Sequence, residues 1–215
     1  MVTLSQLGRY ARVRALPRAF ALALSTASIA SAGEVLIERT LLQDATPSSF
    51  AIGFSSGVNF CYDVTRGGLS YAWQGGFVDI TTVRPNAGKN IAPVPLLGEI
   101  VYRETGYFPL RRGDAQKGME LIFKGYRLKD DAIEFLYEID RCRISEEIRP
   151  LADGKGIVRR FRIEPKGEAA AWWYVPGETS GAELTAPNAT RDAGGFRFDG
   201  TNEFSLEVHF EKATS

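Results

Sequence analysis

The chain has 215 residues, with 26 Lys and Arg against 26 Asp and Glu, a single His and two Cys. No Lys/Arg cluster supplies the basic face that a nucleic-acid binder needs for the phosphate backbone. One His and two widely separated Cys do not make a zinc site of the familiar type, and without a C-x-x-C-H no haem is attached covalently.

Residues 1–32 have the pattern of a signal peptide. Arg9, Arg12, Arg14 and Arg18 precede the apolar run Ala19–Ala30, and the small residues Ala30-Ser31-Ala32 suit cleavage after Ala32. The run is too short for a permanent membrane span, and no later one is long enough. The mature chain, residues 33–215, is expected to be periplasmic or secreted and to form a single domain. The leader takes four arginines and no acid, leaving 22 basic against 26 acidic residues.

The mature chain then alternates as strands do. "SYAWQGGFVDI" (Ser70–Ile80) predicts a strand, a Gly75-Gly76 bulge and a second strand, with "TTVRPNAGKN" leaving the sheet as a loop. Residues 86–112 carry Pro93, Pro95 and Pro109 and only "EIVY" (Glu99–Tyr102) looks strand-like, which predicts an irregular segment, either a functional loop or a disordered one. Ile133, Phe135, Tyr137 and Ile139 fall on one side of a half-buried strand, with Glu134, Glu138 and Asp140 on the other. In "RCRISEEIRP" the inward series Cys142, Ile144, Ile148 is broken by Glu146, which predicts solvent or a polar pocket there. Residues 176–195 read as a second irregular segment. Phe204, Leu206, Val208 and Phe210 form a last inward series. Turn signals at 129–131, 152–156 and 199–202 join antiparallel neighbours. The expected fold is all-β: an antiparallel two-sheet β-sandwich, supersandwich or jelly-roll-like, with about a dozen strands.

For chemistry, His209 sits between Glu207 and Glu211 on an outward face, a poor place for a Ser-His-acid triad, and no G-x-S-x-G occurs. Glu146-Glu147, Asp130-Asp131 and Asp79 are the carboxylates a glycosidase would draw on. The sharper candidate is a ligand site at Tyr71, Trp73, Asp79, Arg84 and Asn86. Trp73 would be a stacking plate for the C–H face of a sugar, and Asp79, Arg84 and Asn86 its polar contacts. Against this stands the tendency of large aromatics to fill sandwich cores. Cys61 and Cys142 would close a loop of about 80 residues if bridged in an oxidising compartment; two buried thiols are the alternative.

"FAIGFSSGVNFCYDV", "LSYAWQGGFVDI", "PLLGEIVY", "GYFPLR", "FKGYRLKDDAIEFLYEID" and "IRPLADGKGIVRRFRI" together cover well over half of the mature chain. They resemble uncharacterised exported bacterial β-sandwich segments found beside c-type cytochrome or quinoprotein dehydrogenase-like domains. The resemblance implies a periplasmic two-sheet fold like the mutarotase-type supersandwich. It implies an exported dehydrogenase or cytochrome as partner, and no particular activity. The chain departs from that pattern after Asp79, where "TTVRPNAGKN" replaces a Trp and an Arg-Gly-Gly, and it lacks the fused haem and quinoprotein domains. Three functions follow as expectations. The first is a non-catalytic carbohydrate-binding domain without a cofactor. The second is an accessory subunit of an exported cytochrome c or quinoprotein system. The third is a sugar-processing enzyme that uses carboxylates.

Overall fold

The described residues form sixteen strands and a single 3₁₀ turn at Ile80–Thr82. The computed structural model describes residues 34–82, 92–164, 170–192 and 194–211. All of them belong to one compact unit. The signal-peptide reading falls on residues outside this set.

The strands form three antiparallel sheets. The first has the order β1 (Leu36–Arg39), β2 (Ser49–Gly53), β3 (Val58–Asp63), β4 (Gly68–Val78), β5 (Leu96–Glu104), β12 (Thr179–Ser180). The second runs β13 (Ala182–Thr185), β16 (Glu203–Phe210), β10 (Gly156–Glu164), β9 (Cys142–Pro150), β8 (Ile133–Ile139), β7 (Leu121–Leu128). The third is small: β14 (Thr190–Asp192), β15 (Gly195–Phe198), β11 (Trp172–Tyr174), β6 (Leu110–Arg112). The predicted turns at 129–131, 152–156 and 199–202 join β7 to β8, β9 to β10 and β15 to β16. The all-β sandwich expectation holds, with more and shorter strands than foreseen.

The two large sheets face each other across one core. Tyr62 of β3 stacks on Phe135 of β8 with ring centroids 3.6 Å apart, and Phe50 of β2 lies 6.4 Å from Phe123 of β7. β11 of the third sheet adds Trp172 and Tyr174 to the same cluster. The inward phase of the second sheet follows alternation. Ile133, Phe135, Tyr137 and Ile139 are buried, as are Cys142, Ile144, Glu146 and Ile148.

In the first sheet β2 and β3 do not alternate. Every residue of β2 and β3 is buried. Its second face is covered by Leu42 and Val94, which bridge each other and pack with Ala51, Cys61, Tyr71, Trp73 and Val78. A sheet buried on both faces takes apolar side chains at successive positions. That is the physical reason for the dense aromatic run in β4.

Both segments read as irregular contain strands. Residues 86–112 hold β5 and β6, with Pro95 immediately before β5, where its missing N–H costs nothing. Residues 176–195 hold β12, β13 and β14. β12 ends the first sheet and, past Gly181, β13 begins the second. Short strands of this kind carry too few residues to show a period.

Candidate functional site

Tyr71 and Trp73 are not surface residues. Trp73 is 0 % exposed in the second cluster, its ring 6.4 Å from Phe77 and nearly parallel to it. Its indole N–H donates to the carbonyls of Gly76 and Phe77, both at 3.1 Å, and Tyr71 donates to the Gln43 carbonyl at 2.8 Å. The stacking plate is therefore a wedge of the core, with no face open to a sugar. The bulge is real: the β4–β5 register shifts between Gly75 and Val78, and Gly75 has φ +120°. What stabilises it is Asn59, unremarked in the sequence. Its amide donates toward the carbonyls of Gly57, Trp73, Gly75 and Gly76 over 3.1–3.5 Å. Gly98 lies against the bulge so closely that a Cβ would stand 2.2 Å from the Gln74 carbonyl. Asp79 follows and holds Thr81 through its N–H (3.0 Å) and hydroxyl (2.5 Å). Arg84 and Asn86 lie outside the described residues.

Cys61 and Cys142 do not form a disulfide. Cys61 belongs to the outer cluster of the first sheet and Cys142 to the core between the sheets, so the layer of the first sheet separates them. Burial pushes the Cys61 thiol up to about 12. It carries no thiolate at neutral pH, and the thiolate is the reactive species. A disulfide reagent such as DTNB is expected to leave both cysteines unmodified in the folded protein and to titrate both in denaturant. Stoichiometric reaction of Cys61 before unfolding would contradict this placement.

The polar pocket expected at Glu146 exists, but it is sealed. Arg159 of β10, 0 % exposed, donates from Nε to Glu146 Oε1 at 2.7 Å and from Nη1 to Glu104 Oε2 at 3.3 Å. Nη1 also contacts the Tyr174 hydroxyl. Tyr62 and Tyr137 donate to Glu146 Oε2 at 3.4 and 3.3 Å. Tyr102 and Tyr174 donate to Glu104 at 3.0 Å. All three sheets contribute, through β3, β5, β8, β9, β10 and β11. Arg159 Nη2 is the one buried side-chain N or O among the described residues that lacks a hydrogen-bond partner. The guanidinium compensates by lying over the rings of Tyr174 and Phe161, 5.2 and 5.5 Å from their centroids.

The electrostatics follow from this geometry. Burial alone would push Arg159 down, but Glu146, Tyr174 and Glu104 outweigh it and the guanidinium stays charged. Burial raises Glu104, although Arg159, Tyr174 and Tyr102 pull the other way. Burial keeps Tyr62, Tyr137 and Tyr174 protonated as donors. The folded protein thus holds the Glu104 proton more tightly than the unfolded chain does. The stability this contributes is complete below the ordinary value of 4.5 and is lost as pH rises through the raised folded value. Glu104→Gln, which mimics the protonated acid, is expected to gain on the wild type as pH rises. Urea unfolding of both at about pH 4 and about pH 8 checks this; a stability difference that shifts against Glu104→Gln as pH rises would refute it.

The surface carries a different arrangement. A trough of about 530 Å³ crosses the outer face of β7, β8, β9 and β10. Its shape follows from cross-strand register. Gly125 lies opposite Leu136, Leu136 opposite Ser145, and Ser145 opposite Arg162, so Leu136 and Ser145 make a low floor. One flanking row carries Glu138, Arg143 and Glu164; the other carries Arg127 and Glu134. Spanning four strands makes it about 14 Å long at ~4.8 Å per strand. Lys124 pairs with Glu138 at 3.4 Å and Arg127 with Glu134 at 3.2 Å. Outside the trough, Lys129 grips Glu147 at 2.6 Å, a hydrogen bond that lowers the Glu147 carboxyl below its usual range.

The carboxylates considered for catalysis separate. Glu146 and Glu147 face opposite sides of β9, and Asp130-Asp131 form the β7–β8 turn. His209 contacts Glu207 at 3.0 Å on the outer face of β16. Among the described residues no group of three His, Cys, Asp or Glu side chains has the placement of a metal site. No helix there is long and apolar enough to cross a membrane. No protein-family model, curated protein or solved structure matches the chain.

Proposed function

We propose that the protein is a periplasmic, non-catalytic binding domain whose ligand is a saccharide held in the trough over β7–β10. The trough itself carries the reading. A rigid sheet presents interleaved donors (Lys124, Arg127, Arg143, Arg162) and acceptors (Glu134, Glu138, Glu164) along an open groove. A polyhydroxylated chain needs both at once, since each hydroxyl donates and accepts. Leu136 supplies a small apolar patch for C–H contact. The sealed Glu104–Arg159–Glu146 group is a poorer candidate for sugar chemistry. Each carboxylate there is occupied by surrounding donors, and the cleft that reaches Glu104 encloses about 10 Å³, roughly the space of one water.

The test is a glycan array followed by calorimetry on residues 33–215, with Ser145→Tyr as the blocking variant. Ser145 faces the trough floor on the solvent side of β9, so a bulky side chain there fills the groove without entering the core. The expected result is saccharide binding by the wild type, abolished in Ser145→Tyr with no loss of melting temperature. A protein that binds no glycan, or binds equally well with Tyr at position 145, does not use this trough for saccharides.

A further inference from the structure

Resting on the saccharide reading of the trough, we infer that its ligand is acidic, and that Arg143 and Arg162 together hold a carboxylate or sulfate of the sugar chain. Arg143 lies opposite Glu164 across β9 and β10, and Arg162 is two residues before Glu164 on the same face. The two arginines are therefore diagonal neighbours, about 7–8 Å apart at the backbone, and two long side chains at that spacing converge on one anionic group. Planar guanidinium groups bind such an anion through paired hydrogen bonds, which a lysine does not.

Their present partners hold them weakly. Arg143 meets Glu164 at 3.7 Å with side chains 72 % and 71 % exposed, and Arg162 meets Glu203 at 3.5 Å with 62 % and 51 %. Open pairs of this kind contribute close to nothing, so a ligand anion displaces them at little cost. The other trough ion pairs differ. Glu134 is 7 % exposed and is held by both Arg127 and Lys129, each at 3.2 Å. Glu138, also recessed, pairs with Lys124 at 3.4 Å. The recessed carboxylates face their own cations, whereas Arg143 and Arg162 at the β9–β10 end of the trough are well exposed to solvent. Ser145 sits between them on the floor, opposite Arg162, where its hydroxyl meets a sugar ring whose acidic group the arginines hold.

The experiment is isothermal titration of residues 33–215 with three probes of equal length: an oligogalacturonate, a sulfated neutral oligosaccharide and the neutral oligosaccharide itself. The wild type is expected to bind an acidic probe and to lose affinity as salt rises. Comparison of the first two probes tells carboxylate from sulfate. Arg143→Gln and Arg162→Gln are each expected to weaken binding about tenfold, the scale of one lost charge-assisted hydrogen bond. Glu164→Gln, which removes the competing internal partner of Arg143, is expected to tighten it. All three positions are exposed, and thermal melts verify that the variants fold. Equal binding of the neutral probe, or unchanged affinity in both arginine variants, overturns the acidic preference and leaves the saccharide reading standing. Failure of all three probes to bind, or binding that survives Ser145→Tyr, overturns both.

Discussion

Replacing Arg159 by Met is expected to destabilise the protein by about 3–5 kcal/mol, because it leaves two carboxylates buried without their cation. For a domain of this size that corresponds to a fall in melting temperature of roughly 10 °C or more. Glu146, fully buried and bound through Arg159 Nε, loses its shortest hydrogen bond. Glu104 loses the charge that opposes its desolvation. The combined variant Arg159→Met, Glu146→Leu, Glu104→Met removes the charges together, and is expected to recover most of the loss. Buried ion groups replaced by apolar side chains of similar volume are often neutral or stabilising. Urea titrations of the single and triple variants check the pair of expectations. A single variant within about 0.5 kcal/mol of wild type, the scatter of ordinary surface changes, would mean the network carries little energy.

Trp73→Ala is expected to cost about 3–5 kcal/mol, the range for truncating a buried aromatic. The loss combines the transferred ring with the cavity left among Phe77, Tyr71 and the Gly98 backbone, which the bulge holds in place. It also strips the Gly76 carbonyl of a donor. Trp73→Phe keeps most of the volume and is expected to lose less. Saccharide binding in the trough should be unchanged in Trp73→Phe, since Trp73 belongs to the first sheet and the trough to the outer face of the second. A Trp73→Phe variant that folds normally yet loses ligand would return the site to β4. Equilibrium unfolding beside the binding assay distinguishes the outcomes.

The trough was half visible in the sequence. Glu134, Glu138, Arg143 and Ser145 sit on the outward phase of alternating strands, so their place on the outer face followed from period two alone, although Glu134 is covered there by Arg127 and Lys129. That Leu136 and Ser145 form a floor between charged rows depends on which residue of β8 meets which of β9. A shift of one residue in that pairing would turn those side chains to the other face. The buried network left a fainter trace. Glu146 was legible as a charge on an inward phase. Arg159 shows the same signal, falling in step with Ile157, Phe161 and Ile163 in β10, and Glu104 falls in step with the buried Tyr102 in β5. Charges of opposite sign on inward phases are the mark of a buried pair.

Local sequence is enough for the fold class, the alternating strands of the second sheet, the hairpin turns and the glycine bulge of β4. Each is set by residues within a few positions of one another, where backbone geometry and side-chain alternation act directly. Where Trp73, the cysteines and the charges stand depends on packing between segments distant along the chain. Arg159 meets Glu104 across 55 residues of chain and Tyr62 meets Glu146 across 84. The second face of the first sheet is buried around Trp73 because Leu42 and Val94, 31 and 21 residues from it along the chain, fold over it. An aromatic on a strand has the same local pattern whether its face meets water or another layer of chain. What distinguishes them is the free energy of burying that face, and this depends on segments that the local sequence does not contain.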